Sequence, residues 1–272
     1  MNLKSVFLAI SNILLSSCNH VFYQPNNYFY SDPEKLHVEY ENLEWKNSEG
    51  LNLQVLLMLS KNKPKGSILH LHGNAQNRSS HYYYSYWLTE YGYQVYVPDY
   101  RGYGSSEGKP TRKGLLDDVK FFIDEVCKQA HKPVFLFAQS LGGSVAIPAL
   151  VAKTPNCIQG VIIESPFASY RRIAREKLSE HWISWLFQYP FSYLVSDEES
   201  PIDYIGELKI PTLFIHGTAD SIVPYQHSVD LYQHSGAKEK ELWTIQDGRH
   251  IAVFALKDSP YKTKLVDWIS KR

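Results

Sequence analysis

Three residues with the chemistry of a nucleophile and its activating partners occur in the chain order Ser140, Asp220, His250. Ser140 lies in the stretch FAQSLGG, directly after the apolar run from Val134 to Phe137, and each partner follows a later apolar stretch. A serine hydroxyl is a weak nucleophile near neutral pH, so it needs a nearby base and a third group that orients this base. The three positions therefore predict a nucleophile, Ser140, a general base, His250, and an orienting acid, Asp220.

Small residues flank the serine at the positions two before and two after it, Ala138 and Gly142. A nucleophile held on a sharp turn between a strand and a helix requires small residues there, and the usual pattern is GxSxG. Alanine at the first position adds one methyl group, so we expect slightly more strain in the turn. The pattern is weak by itself and becomes moderately specific because it follows an apolar strand and precedes a helix.

Two backbone amides are expected to stabilise the oxyanion of a tetrahedral intermediate. One is the N–H of Leu141, which follows the nucleophile at the start of a helix. The second is predicted in the stretch HGNAQN, at Asn74, with the neighbouring Ala75 as the alternative. A turn with helix-capping asparagines would explain the same stretch without an oxyanion role.

Other acids and histidines compete for the roles of orienting acid and base. Glu164 also ends an apolar strand, and Asp247 lies three residues before His250. His250 is preferred as the base because it follows the last predicted strand. Four further histidines near strand ends are interpreted as structural hydrogen-bonding residues: His70, His72, His81 and His216.

The segments around these residues alternate between strand and helix patterns. Two strands, HVEYENLEW and LNLQVLLML, predict an antiparallel edge, and short apolar runs such as GSILHLHG and QVYVPD predict buried strands. The later elements are predicted as helices over about Ser79–Tyr91, Arg112–Ala130 and Leu141–Ala152, and strands over Val134–Phe137 and Ile158–Ile163. This alternation predicts an α/β fold with a mostly parallel, eight-stranded-type sheet, helices on both faces and a short helical lid. Ligands gather at the carboxyl ends of such strands, where all three candidate residues lie.

Composition limits the class of protein. The chain has 272 residues, 44% of them apolar, which suits one α/β domain. Lysine and arginine number 28, as do aspartate and glutamate, and no basic run stands out, so no nucleic-acid partner is expected. No metal and no organic cofactor is implied, and the sequence does not indicate an oligomeric state.

The N-terminus has the pattern of a targeting segment. Met1 to Lys4 carries one positive charge, Val6 to Leu15 is mostly apolar, and the stretch then reaches LSSC. LSSC resembles the lipobox of bacterial lipoproteins, which implies export and lipidation at Cys18. A plain secretory signal with a chance cysteine, or an apolar N-terminal helix, are the alternatives. Because Asn19 follows rather than aspartate, we expect the cell envelope, with a lipid anchor in the outer membrane facing the periplasm.

The domain plan is therefore a signal peptide over 1–17, a linker over 18–37 and a catalytic domain over 38–272. Cys127 and Cys157 are expected to be buried apolar residues, with a disulfide between them as the alternative. A lid insertion is predicted at about 166–208. In it, Leu178, Trp182, Trp185, Leu186 and Tyr189 recur at helical spacing and predict an apolar stripe facing the protein body. This stripe would be a packed cover helix, an acyl or aromatic substrate lining, or a membrane contact.

Together, the stretches HLHGNAQN, DYRGYGSSEG, FAQSLGG, IHGTADSIVP and DGRH resemble the α/β-hydrolase superfamily. Within it, the chain is most similar to the Bem46-like and ABHD13-like serine hydrolases, which overlap with the serine aminopeptidase-like S33 group. The resemblance extends from about Val38 to the C-terminus and implies the roles given above for Ser140, His250 and Asp220. It also implies that Asp99 to Ser106 is a structural turn, in which Arg101 pairs with a carboxylate.

The predicted activity is hydrolysis of a small-molecule carboxylic ester or thioester through an acyl-enzyme. One alternative is an aminopeptidase-like amidase, in which Glu164 or the acidic cluster Asp197 to Glu199 would receive a substrate amine. The other is a non-catalytic lipoprotein that uses the fold as a binding module.

Overall fold

A computed structural model describes residues 23–153, 155–180, 182–256 and 258–272. The predicted signal peptide and Cys18 lie outside these residues, as do the side chains of residues 182 and 183. Within the described ranges, no helix combines the length and the apolar character needed to cross a membrane.

A central sheet of eight strands organises the described chain, and a separate two-stranded pair joins β1 to β5. The strands are β1 (Gln24–Pro25), β2 (Tyr40–Lys46), β3 (Asn52–Met58), β4 (Gly66–Leu71), β5 (Ala75–Gln76), β6 (Tyr93–Pro98), β7 (Val134–Gln139), β8 (Ile158–Glu164), β9 (Thr212–Gly217) and β10 (Lys240–Ile245). The order in the large sheet is β10-β9-β8-β7-β4-β6-β3-β2. Only the pairings of β3, with β2 and with β6, are antiparallel among those described. The predicted mostly parallel sheet with an antiparallel edge is therefore confirmed.

Helices cover both faces of this sheet. They are α1 (Arg78–His81), α2 (Arg112–Gln129), α3 (Leu141–Ala152), α4 (Tyr170–Ser179), α5 (Trp182–Trp185), α6 (Gln188–Ser192), α7 (Pro201–Tyr204), α8 (Gln226–His234) and α9 (Pro260–Ser270). Along β7, Leu136 packs into one core cluster and Phe137 into the other, because successive side chains of a strand point to opposite faces. Phe122 of α2 belongs to the first cluster and Trp268 of α9 to the second. The α/β-hydrolase layering predicted from the sequence is thus confirmed.

The helix predicted over Ser79–Tyr91 is shorter and more irregular in the structure. After α1 the chain continues as two 3₁₀ segments, Tyr82–Tyr84 and Tyr86–Tyr91, and ends at Gly92 with φ of 92°. The aromatic residues of this stretch have modest helix propensity, so burial of Trp87 and Tyr82 decides the backbone path. The stretch ends at Tyr91, as predicted.

The predicted apolar stripe of the lid segment is wrong. The stretch after α4 breaks into the short helices α5 and α6, and Trp185, Leu186 and Tyr189 are 55%, 69% and 57% exposed. Pro190 lies in α6, where its missing N–H and its ring prevent one helix from running through residues 178–189 into α6. Helical spacing therefore does not align Trp185, Leu186 and Tyr189 toward the protein body.

The prediction that Cys127 and Cys157 are separate buried residues is also wrong. The structure joins them in a disulfide with Cα atoms 5.7 Å apart, and both residues are only partly buried. The bond forms because the last turns of α2 end beside the residue that precedes β8. The structure therefore has the disulfide that the sequence analysis gave as the alternative.

Candidate active site

Ser140 occupies a strained turn between β7 and α3. Its φ is 52° and its ψ is −116°, a conformation rare for residues other than glycine. A Cβ on Gly142 would overlap the Leu71 carbonyl oxygen and lie 2.7 Å from that of His72, so only glycine fits there. Ala138, the departure from GxSxG, is fully buried within β7, and its methyl group is accommodated. The turn thus holds the serine above the carboxyl end of the strand, as expected.

The loop that follows β4 lies beside the serine. A Cβ on Gly73 would be 3.6 Å from the Cβ of Ser140, so the loop passes close to the serine just before Asn74. Leu141 is the first residue of α3, where a backbone N–H has no partner within its own helix. Ala75, the alternative oxyanion donor, belongs to β5, and its carbonyl oxygen lies 3.0 Å from Nε2 of His81. Both proposed donors therefore come from segments adjacent to Ser140.

Asp220 and His250 are in direct contact. His250 Nδ1 lies 2.7 Å from Asp220 Oδ2, and the other carboxylate oxygen accepts the backbone N–H groups of Ile222 and Val223 at 2.8 and 2.9 Å. Because an ionised carboxylate only accepts hydrogen bonds, Nδ1 is the donor and Nε2 keeps a free electron pair. This is the tautomer that a general base requires.

A second histidine, His216, also contacts Asp220. Its Nε2 is 3.1 Å from Asp220 Oδ2 and 2.9 Å from the Val223 carbonyl, and its Nδ1 is 2.7 Å from Ser228 Oγ. Burial raises the pKa of Asp220, but hydrogen bonds from His216 and His250 outweigh it and hold this pKa well below the usual aspartate value. The carboxyl group of Asp220 is therefore ionised in the folded protein near neutral pH.

Glu164 connects the serine turn with the histidine loop. Its carbonyl oxygen accepts the N–H of Ser140 at 2.8 Å, and its carboxylate Oε1 accepts the N–H of Val253 at 3.2 Å. The other carboxylate oxygen accepts Nε2 of Gln139 at 2.7 Å. Burial raises the pKa of this carboxyl group. Among the described residues, no hydrogen bond joins His250 to the Ser140 hydroxyl, and such contacts commonly tighten only when substrate binds.

The rival residues have other partners. Glu164 is occupied as just described, and the exposed Asp247 accepts Nε2 of its neighbour Gln246. His70 is buried between Ser85 Oγ and Gln139 Oε1, at 2.8 and 2.9 Å. His72 and His81 are likewise buried, with Nδ1 of His72 at 2.8 Å from the Gly73 carbonyl. The hydrogen bonds of these three histidines join segments that surround the site.

The turn over 99–106 is held by ion pairs, as expected. Arg101 Nη2 lies 2.8 Å from Asp118 Oδ1 and 2.8 Å from Glu49 Oε1. Asp99 is buried and pairs with Arg78 Nη1 at 2.7 Å. The predicted pairing of Arg101 with a carboxylate is confirmed.

A model of the family described as serine aminopeptidase, S33, matches residues 62–206 and 198–255. The chain belongs to this α/β-hydrolase family. A relative, the uncharacterized protein YfhR of Escherichia coli, is 35% identical over 257 residues, covering 89% of this chain and 86% of the relative. Protein bem46 of Schizosaccharomyces pombe is 28% identical over 232 residues, covering 80% of this chain and 73% of the relative.

Two further proteins extend the comparison of this S33 family member. The lysophosphatidylserine lipase ABHD12 of Danio rerio is 32% identical over 182 residues, covering 61% of this chain and 46% of that protein. The Pyrococcus furiosus esterase Pf2001 has a similar fold, with a TM-score of 0.75 at 20% identity over 92% of this chain and 97% of that chain. The recognition of an α/β-hydrolase from the sequence motifs is confirmed.

Proposed function

We propose that the protein is a serine hydrolase that cleaves carboxylic esters or thioesters with Ser140, His250 and Asp220. The observation that carries the proposal is the 2.7 Å contact between Asp220 and His250. Both residues follow strands at their carboxyl ends, as does Ser140 on its strained turn. The strain of that turn is a cost that proteins keep where function requires it. Family membership supports hydrolysis as the reaction class.

The reaction begins when Ser140 Oγ attacks the substrate carbonyl carbon while Nε2 of His250 accepts the hydroxyl proton. Asp220 stabilises the resulting imidazolium, and the N–H groups of Leu141 and Asn74 donate to the oxyanion. Collapse of the tetrahedral intermediate expels the alcohol or thiol, which takes the proton from His250. Water then attacks the acyl-enzyme and gives a proton to His250, which passes it to Ser140 Oγ as the carboxylic acid leaves.

Ester cleavage is favoured over amine-directed peptidase activity because two of the candidate acids, Glu164 and Asp197, already have partners in the structure. An aminopeptidase needs a carboxylate that is available to a substrate ammonium group. Glu164 is fully buried and bonded to Gln139 and Val253, and Asp197 accepts the Ser169 hydroxyl at 2.8 Å and the Ser200 hydroxyl at 2.6 Å. A relative named as a lipase points in the same direction.

A fluorophosphonate probe tests this proposal, because it labels only an activated serine. We expect labelling and p-nitrophenyl ester hydrolysis by the full chain, and loss of both in Ser140→Ala. Equal labelling of both proteins, or none of either, would favour the non-catalytic binding module instead. Aminoacyl anilides beside esters of increasing acyl length separate amidase from esterase activity and define the acyl preference.

We also propose export to the bacterial cell envelope and anchoring of Cys18 in the outer membrane, facing the periplasm. The LSSC stretch supports this, and a disulfide between Cys127 and Cys157 suits an oxidising compartment. The mass of the mature N-terminus tests it: we expect a chain that begins with an acylated Cys18 and a non-acylated chain for Cys18→Ala. An intact Met1 would contradict lipidation.

A further inference from the structure

Residues 23–31, which we call the N-terminal strap, run across the loop that follows β4. Tyr23 is 3% exposed and packs into the main core cluster, which fixes one end of the strap in the protein. The next residues form β1, whose Gln24 pairs with Ala75 and Pro25 with Gln76 in parallel register. The strap therefore adds a strand to the loop from which Asn74 projects.

The strap also bonds to the side chain of Asn74. The N–H of Gln24 donates to Asn74 Oδ1 at 3.1 Å, and the Tyr103 hydroxyl donates to the same oxygen at 2.9 Å. Directly before Asn74, a Cβ on Gly73 would lie 3.6 Å from the Cβ of Ser140, so the loop passes close to the nucleophile. The peptide of Asn74 is thus held between the nucleophile on one side and the strap on the other.

Asn77 fastens the far end of the loop. Its Nδ2 donates to the carbonyl oxygens of Asn26 and Tyr28, at 3.1 and 2.8 Å, while its Oδ1 accepts the N–H of Ser79 and caps α1. The N–H of Tyr30 then donates to Ser79 Oγ at 3.0 Å. Asn77 is only 3% exposed, so loss of its amide group would leave strap carbonyls without their donor.

We propose that the N-terminal strap positions the loop 73–79 so that the N–H of Asn74 meets the oxyanion. The inference rests on the proposed serine hydrolase function. The strap residues are positioning residues that do not touch the reacting atoms. Displacement of an oxyanion donor weakens transition-state binding more than substrate binding, so it lowers kcat and leaves KM nearly unchanged.

A matched pair at Gln24 tests the inference in the full chain. Gln24→Pro removes the N–H that bonds to Asn74, whereas Gln24→Ala keeps it and changes only an exposed side chain. Asn77→Asp is the second test variant, because aspartate still caps α1 but cannot donate to the strap. For Gln24→Pro and Asn77→Asp we expect kcat to fall about tenfold with KM within about twofold, against no change for Gln24→Ala.

A trifluoromethyl ketone inhibitor separates positioning from general loss of structure, because its adduct with serine places an oxyanion in the same hole. We expect its Ki to rise about tenfold in Gln24→Pro and Asn77→Asp, in parallel with the loss of kcat. An unchanged Ki, or a kcat within twofold of wild type in Asn77→Asp, would overturn the inference. Failure of the proposed function is recognised separately, because Ser140→Ala would then match the wild type in labelling and hydrolysis.

Discussion

At the scale of single residues, Asp220 joins more groups than the chain order alone indicates. It accepts two backbone amides and contacts both His216 and His250. The order Ser140, Asp220, His250 was readable because each residue follows an apolar strand. The contact of His216 was not, since its position four residues before Asp220 has no distinguishing neighbour in the sequence, and only the turn over 217–220 brings them together.

Asp220→Asn is expected to lower kcat by about ten thousand-fold, the order found when the orienting aspartate of a serine protease becomes asparagine. The amide group would donate to Nδ1 of His250 and force the proton onto Nε2, which could then no longer accept from serine. Steady-state ester hydrolysis measures the effect, with Asp247→Asn as the control for an exposed neighbouring acid. Comparable losses in the two variants would contradict the assignment of Asp220.

Two buried histidines predict how stability depends on pH. Burial lowers the pKa of His70 and of His81 to about 3, whereas an unfolded histidine titrates near 6.5. Between these values the unfolded chain binds protons that the folded chain does not, so stability is present above about pH 6.5 and is lost as pH falls toward 3. We expect the free energy of unfolding in urea to drop by up to about 1.4 kcal/mol per pH unit for each histidine. His70→Gln should reduce this slope, and a free energy that is constant from pH 7 to pH 5 would refute the explanation.

At the scale of elements, the turn between β7 and α3 depends on close backbone packing. Gly142→Ala would push a methyl group against the carbonyl oxygens of Leu71 and His72, neither of which can move without shifting β4. We expect a loss of about 1–3 kcal/mol in unfolding free energy together with loss of activity. Gly206→Ala is the matched control, because its nearest heavy atom would be 3.7 Å away. Equal melting temperatures for the two variants would be inconsistent with this packing.

The strands and long helices were predictable because their apolar periodicity is set by burial on the two faces of one sheet. The helix α3 has the predicted bounds Leu141–Ala152, and α2 ends one residue before the predicted position. The lid segment was not predictable in the same way, because spacing alone assumes an unbroken helix, whereas the helix breaks after Ser179 and again after Trp185, the second time just ahead of Pro190. The strap was assigned to a linker over 18–37 because the bonds of Gln24, Tyr28 and Tyr30 to the loop use backbone groups, which every sequence offers equally.

At the scale of the whole molecule, the disulfide encloses the unit that carries the nucleophile. Cys127 and Cys157 are 30 residues apart, and Ser140 lies between them with all of β7 and α3. Closing a loop of this length restricts the unfolded chain and is worth about 3–4 kcal/mol in the chain-entropy account.

We therefore expect dithiothreitol to lower the free energy of unfolding by about 3–4 kcal/mol, measured in urea with and without the reductant. The double variant Cys127→Ser with Cys157→Ser should show the reduced value under both conditions. If the free energy of unfolding of the wild-type protein were the same with and without dithiothreitol, the disulfide would make no contribution to stability.

The N-terminal strap has a consequence for biosynthesis. Gln24 leaves the ribosome 50 residues ahead of Asn74, and more than a hundred ahead of the serine turn. The strap therefore cannot dock until the loop that contains Asn74 has been made. A chain trimmed beyond Tyr23 would lack the bonds that hold Asn74 and Asn77, so recombinant versions shortened at the start should retain every residue from Tyr23 onward.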